Sequence, residues 1–224
     1  MKVGVLLPTF RSSADDALEA ADRAAVAGLD GVFAFDHLWP MGQPQRPALA
    51  PLPVLAAVAA RHSTLVVGPL VARVGLFSTD SLVEQLRTLV AIAPGRVVCA
   101  LGTGDRLSDD EQRAYGLAVR SAEERRALLV AALVALGPTT TRWCGAGSPA
   151  TNACARSVGA EINLWGAPLD RVSELAREGP VNWAGPLEAD VDGHLDALAR
   201  RGASWAIASA PVDLHALAQW RRRH

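Results

Sequence analysis

A chain of 224 residues, half of them hydrophobic, holds enough apolar mass for one large domain or two small ones. No apolar run reaches the roughly 18 residues that a membrane-spanning helix needs. A net charge of −1 denies the chain the basic face that nucleic acid requires. Met1 runs straight into an apolar segment, which predicts no secretory leader. Cys99, Cys144 and Cys154 lack CxxC spacing and read as buried reduced thiols, so a cytoplasmic protein is expected. The basic cluster at 221–224 reads as a solvated helix end.

Short apolar runs alternate with amphipathic, alanine-rich stretches along the chain. Residues 2–7 predict a strand, and 14–27 a helix stopped by Gly28. A second strand over 31–35 ends in Asp36-His37, and a helix opens at Pro51. Residues 64–71 predict a third strand, followed by a helix over 80–92 with Asp80 as its N-cap. A fourth strand, 96–101, stops at Gly102-Thr103-Gly104 and delivers Asp105; helices over 107–115 and 123–136 follow. The second half repeats one unit: a strand bearing Trp143, Trp165, Trp183 or Trp205, small residues, then Pro149, Pro168, Pro186 or Pro211. Each proline suits a first helical turn, and Asp170, Glu188 and Asp213 follow two positions after three of them. The tryptophans read as core or barrel-wall residues.

Eight strand–helix cycles predict parallel strands with right-handed crossovers, closed into one (β/α)8 TIM barrel with short βα loops, a single α/β domain over residues 1–224. An open doubly wound sheet is the alternative, but no Gly-x-Gly-x-x-Gly follows the first strand. In a barrel the strand ends meet at one rim. That rim would collect His37 and Asp105 as proton carriers, Asp36 as their neighbour, and the glycines of 102–104, where a ligand can approach the backbone. Against this, Asp36 and His37 also suit a loop start, and Asp105 a helix cap. Gly145-Ala146-Gly147-Ser148 before Pro149 offers backbone donors at a helix start, an anion site or an ordinary turn. Arg11, Arg73 and Arg106 fall where βα loops should gather and could meet an anionic cofactor tail or substrate, but each alone reads rather as a solvated surface residue. His62, His194 and His215 carry no metal spacing, and no metal site is expected.

These motifs, in this order, resemble the luciferase-like monooxygenase superfamily of flavin- and deazaflavin-dependent oxidoreductases. Phe35-Asp36-His37-Leu38 is similar to that family's Ser-Asp-His-Leu segment; Gly68 to Val71 and the helix carrying Gln85 and Thr88-Leu89 resemble its third strand and helix. Gly102-Thr103-Gly104-Asp105 resembles the Gly-Thr-Gly-Glu of the branch using coenzyme F420. The tryptophan near the Asp-His pair of the sugar-phosphate enzymes falls at a different spacing here, at Trp39. The resemblance implies a hydride transfer between F420 and a small organic substrate. It also implies a cis peptide at Leu70–Val71 beneath the cofactor ring, and a phosphate loop at Gly145, Ala146, Gly147 and Ser148. An FMN-dependent monooxygenase and a non-catalytic cofactor-binding barrel remain the alternatives. A Schiff-base aldolase has no strand-end lysine, since Lys2 is the chain's one lysine. Barrels of this family often pair, which would suit the alanine-rich helix opening at Pro51.

Overall fold

The structure, a computed structural model, describes residues 1–104 and 108–224. The predicted apolar runs form strands β1 (Lys2–Leu6), β2 (Gly31–Ala34), β3 (Val66–Pro69), β4 (Ala72–Arg73), β5 (Val98–Gly102), β6 (Thr141–Gly145), β7 (Glu161–Trp165), β8 (Val181–Gly185) and β9 (Ala203–Ala208). The helices between them are α1 (Asp15–Val26), α2 (Pro51–Arg61), α3 (Thr79–Ile92), α4 (Asp109–Ala114), α5 (Ala122–Leu136), α6 (Pro149–Ser157), α7 (Leu169–Ala176), α8 (Val191–Arg200) and α9 (Leu214–Arg223).

All strand pairs are parallel, in the order β3-β2-β1-β9-β8-β7-β6-β5-β4. β3 falls within the predicted third strand, whereas β4 is a further short strand just past its predicted end; the two are parted at Leu70–Val71, whose peptide bond is cis. β3 pairs with β2, β4 pairs with β5, and Val67 bridges Val97 just ahead of β5, so the ring closes at this joint. Gly68 permits the closure, because a Cβ there would lie 2.5 Å from the Val98 carbonyl oxygen.

Two apolar layers follow from strand alternation. Phe33, Val98, Trp143, Trp205 and Ile207 fill the inside of the ring, with Trp143 stacked on Phe33 at 5.4 Å. The larger layer lies between strands and helices and includes Trp183. Trp165 departs from the core assignment: it is 51 % exposed, because it ends β7 at the rim.

Several helix starts differ from the sequence reading. Ser78, not Asp80, caps α3 and accepts the Ser81 N–H at 3.2 Å, while Asp80 sits in the first turn. Pro149 does open α6, but Pro186 and Pro211 lie in loops. There Asp190 and Asp213 cap α8 and α9, because a carboxylate accepts the N–H groups a first turn leaves unpaired. Cys99 and Cys144 are buried free thiols, pushed up to about 12 by burial, with Cys154 nearby adding to the shift at Cys144; Cys154 itself is half-buried. Among the described residues no helix is long and apolar enough to cross a membrane.

Candidate active site at the strand ends

Most βα connections are short. The long segment 35–50 after β2 meets α4, which comes after β5 in the chain, where His37 and Leu38 contact Glu111, and the two build the site. Leaving β2, Asp36 accepts the Arg73 N–H on Oδ2 at 2.8 Å. Burial pushes the Asp36 pKa up, and the donated N–H and the charges of Arg73 and His37 offset this only in part.

Arg73 ends β4 and is 4 % exposed, contrary to its reading as a solvated residue. Its guanidinium donates to Glu111 Oε2 at 2.6 Å and to the Ser108 carbonyl at 3.4 Å. Glu111, on α4, is 1 % exposed; it also accepts the Leu38 N–H at 3.1 Å, and its Oε1 lies 2.9 Å from His37 Nδ1. Burial opposes ionisation of Glu111, but its bonds to His37, Leu38 and Arg73 outweigh that, and its pKa is lowered. An ionised carboxylate can only accept, so His37 Nδ1 carries the hydrogen and Nε2 is left for another partner.

Beside this network lies a cavity of about 350 Å³, within the range of small-molecule sites. Phe10, Phe35, Leu70, Val71 and Trp165 supply its apolar walls, and Asp36, His37, Arg73, Thr103 and Asn163 its polar groups. Phe35 joins the aromatic wall, stacked on Phe10 at 5.7 Å and edge-on to Trp165 at 5.3 Å. At the floor, Asn163 donates to Asn182 Oδ1 at 2.6 Å, while the buried Asn182 Nδ2 has no partner among the described residues.

Of the site residues predicted from sequence, His37, Asp36, Leu70, Val71, Gly102, Thr103, Gly104, Gly145 and Ala146 all border this cavity. Gly147 and Ser148 sit behind it: the Gly147 N–H donates to Asn152 Oδ1 at 3.0 Å, and the Ser148 hydroxyl caps α6. Asp105 and Arg106 lie outside the described residues. The glycines of 102–104 border the cavity and also make room for neighbouring side chains. A Cβ on Gly102 would collide with Val71, and one on Gly104 would meet Arg73 Cδ at 2.8 Å. Their bareness seats those two side chains at the cavity edge.

The sequence reading passed over Glu111, whose place in an Asp109-Asp110-Glu111 run imitates an ordinary acidic first turn. Arg73 carried a usable signal. An arginine ending an apolar strand must find a counter-charge if that strand is buried. Arg11 is exposed and pairs with Asp16 at 2.8 Å. Among the described residues no group of His, Cys, Asp and Glu could hold a metal ion.

A parallel barrel with a cavity and a buried charge network at the carboxyl ends of its strands has the layout of the barrel enzymes. The model of the luciferase-like monooxygenase family matches residues 1–142, and the chain belongs to that family. An F420-dependent glucose-6-phosphate dehydrogenase of Nakamurella multipartita is 36 % identical over 115 residues, covering 50 % of this chain and 33 % of that protein. An F420-dependent hydroxymycolic acid dehydrogenase of Mycobacterium tuberculosis is 30 % identical over 108 residues, covering 48 % and 30 %. These matches thus span about a third of the curated relatives' length. Among solved structures, an F420-dependent secondary alcohol dehydrogenase in complex with an F420-acetone adduct superposes with a TM-score of 0.80 at 13 % identity, covering 97 % of each chain. The monooxygenase RslO1 from Streptomyces bottropensis gives 0.73 at 16 % identity, covering 99 % of this chain and 97 % of that one. At such identities the likeness shows the fold.

Proposed function

We propose that this protein is an F420-dependent oxidoreductase acting on a small organic substrate. The observation that carries the reading is the chain Arg73–Glu111–His37 at the rim of the strand-end cavity: a buried ionised carboxylate fixes the tautomer of a half-buried histidine. The F420-dependent relatives support the choice of cofactor.

The cavity fits a flat ring. Its apolar walls are aromatic and aliphatic, Gly145 and Ala146 border its edge, and Asp36, His37 and Asn163 offer polar partners. The ring would be held by Asp36, Leu70, Val71, Gly102, Thr103, Gly104, Gly145 and Ala146. A phosphate would meet Gly147 and Ser148, where the Ser148 and Thr151 hydroxyls share one hydrogen bond and so keep one hydrogen to give. Bound there, the deazaflavin supplies hydride transfer to or from a substrate carbon.

The protein's own part is proton handling. His37 Nε2 takes the proton of a substrate hydroxyl as its carbon is oxidised, or returns it on reduction, while Glu111 stabilises the imidazolium. Asp105, outside the described residues, is proposed as the second proton carrier from its place in the sequence just after Gly104. Fluorescence titration tests the cofactor: F420 should bind at micromolar concentration or tighter, and binding of FMN alone would overturn the assignment.

A further inference from the structure

A second cavity, of about 520 Å³, shares only Asp36 and His37 with the first. We propose that it binds an uncharged, largely apolar molecule with one polar head, a medium-chain ketone or alcohol by class. Calling that molecule the substrate rests on the function proposed above; the cavity and its chemical preference do not.

Leu38, Leu52, Leu76, Phe77, Leu82 and Leu117 form most of its surface. Asp36 and His37, which also border the first cavity, and the Tyr115 hydroxyl offer polar partners to a ligand with a single carbonyl or hydroxyl. Gln85 also borders the cavity, but its amide donates to Ser81 at 3.2 Å and 3.3 Å. Charge decides the class. Among the described residues no lysine or arginine lines the cavity, and Asp36 adds a carboxyl. A phosphate or carboxylate entering here would lose its water and gain no counter-ion. Its walls include Pro51 and Pro53 in the first turn of α2, Leu82 of α3, and Tyr115, whose ring stacks on Trp39 at 6.3 Å. A preformed apolar pocket with convergent polar groups is the usual form of a small-molecule site.

The test is calorimetric titration of the full chain, without cofactor, with 2-hexanone, 2-heptanone, 2-octanone, octanoate and glucose 6-phosphate. Affinity should rise about fourfold per added methylene, octanoate should bind at least about tenfold more weakly than 2-octanone, and glucose 6-phosphate should give no heat. Leu52→Trp fills the cavity and should abolish 2-octanone binding while F420 titration is unchanged. Leu117→Arg adds a cation at the half-buried wall and should reverse the preference towards octanoate, which keeps the test open if Leu52→Trp does not fold. The inference is overturned by folded wild type that binds none of the ketones, by 2-octanone binding that neither variant changes, or by a dimer in ultracentrifugation that Leu117→Arg dissociates. Ketone binding with no F420 binding would remove the redox reading and leave this site standing; F420 binding alone would do the reverse.

Discussion

The two ends of the barrel use charge in opposite ways. At the amino ends of the strands, arginines spread their donors over backbone carbonyls and partly exposed carboxylates. Arg96 reaches the carbonyls of His62 and Leu65 at 2.8 Å and of Ala59 at 3.2 Å, and Arg221 grips both oxygens of Asp30 at 2.7 and 2.9 Å. At the carboxyl ends, the buried Arg73 is committed to one buried carboxylate, and that carboxylate to one histidine. Water can replace a lost partner at the first end but not between Arg73 and Glu111 at the second. Charge at the amino ends therefore fastens the fold, while charge at the carboxyl ends holds a reactive group in one state.

Glu111→Gln should break the comparison most sharply. It leaves the Arg73 guanidinium buried without a counter-charge, at a cost of about 3 to 5 kcal/mol in urea unfolding. The pH dependence has a definite sign. The Glu111 pKa is lowered in the fold, so its stabilisation is present above the ordinary carboxylate range and is lost as pH falls through the lowered value. The Asp36 pKa is raised, so its contribution runs the other way, declining as pH rises from about 4 through the raised value. Urea midpoints across the acid range should show the wild-type acid limb flattened in Glu111→Gln. A variant as stable as wild type, with its acid limb intact, would mean that the pair is not buried.

His37→Gln should come next, with turnover lowered about 100-fold or more. Its unfolding free energy should stay within about 1 kcal/mol of wild type, since the histidine side chain is partly exposed. F420 affinity should fall less than turnover, and equal losses in both would reassign His37 to cofactor binding. Nitrogen-15 NMR of wild type should show the His37 hydrogen on Nδ1.

Arg96→Met probes the amino ends. Three carbonyls lose their charged donor, and stability should drop by about 1 to 3 kcal/mol with cofactor binding and turnover per folded molecule unchanged. A change in turnover would show that the two ends are coupled. The smallest effect is expected at Asp170→Asn. That residue pairs with Arg201 at 2.7 Å but is 93 % exposed, so the loss should be about 0.5 kcal/mol or less by thermal unfolding.

Much of this organisation was legible in the chain itself. The apolar runs, the Trp-bearing repeats and the glycine stops located every strand but the short β4, and Phe35-Asp36-His37 and Gly102-Thr103-Gly104 were singled out as rim segments. The misreadings have a common cause. Pro186 and Pro211 look like helix openers by local preference, yet the helices begin later, where Asp190 and Asp213 cap them. Arg73, taken alone, looks like a solvated residue, yet the ring buries it beside Glu111. Local pattern cannot show what fills the space beside a residue.

By itself the sequence determined the rhythm: which segments are strands, that they run parallel, and which ends turn outward in Asp36 and His37. Those features arise from periodicity and backbone preference within a few residues, so they are written locally. Tertiary structure decided the charges. His37 meets Glu111 across 74 positions and Arg73 meets it across 38, because closure of the ring at β3, β4 and β5 brings the segment after β2 and α4 together in a place that excludes water. A buried ion must be matched in space, and that matching exists only once the barrel has closed.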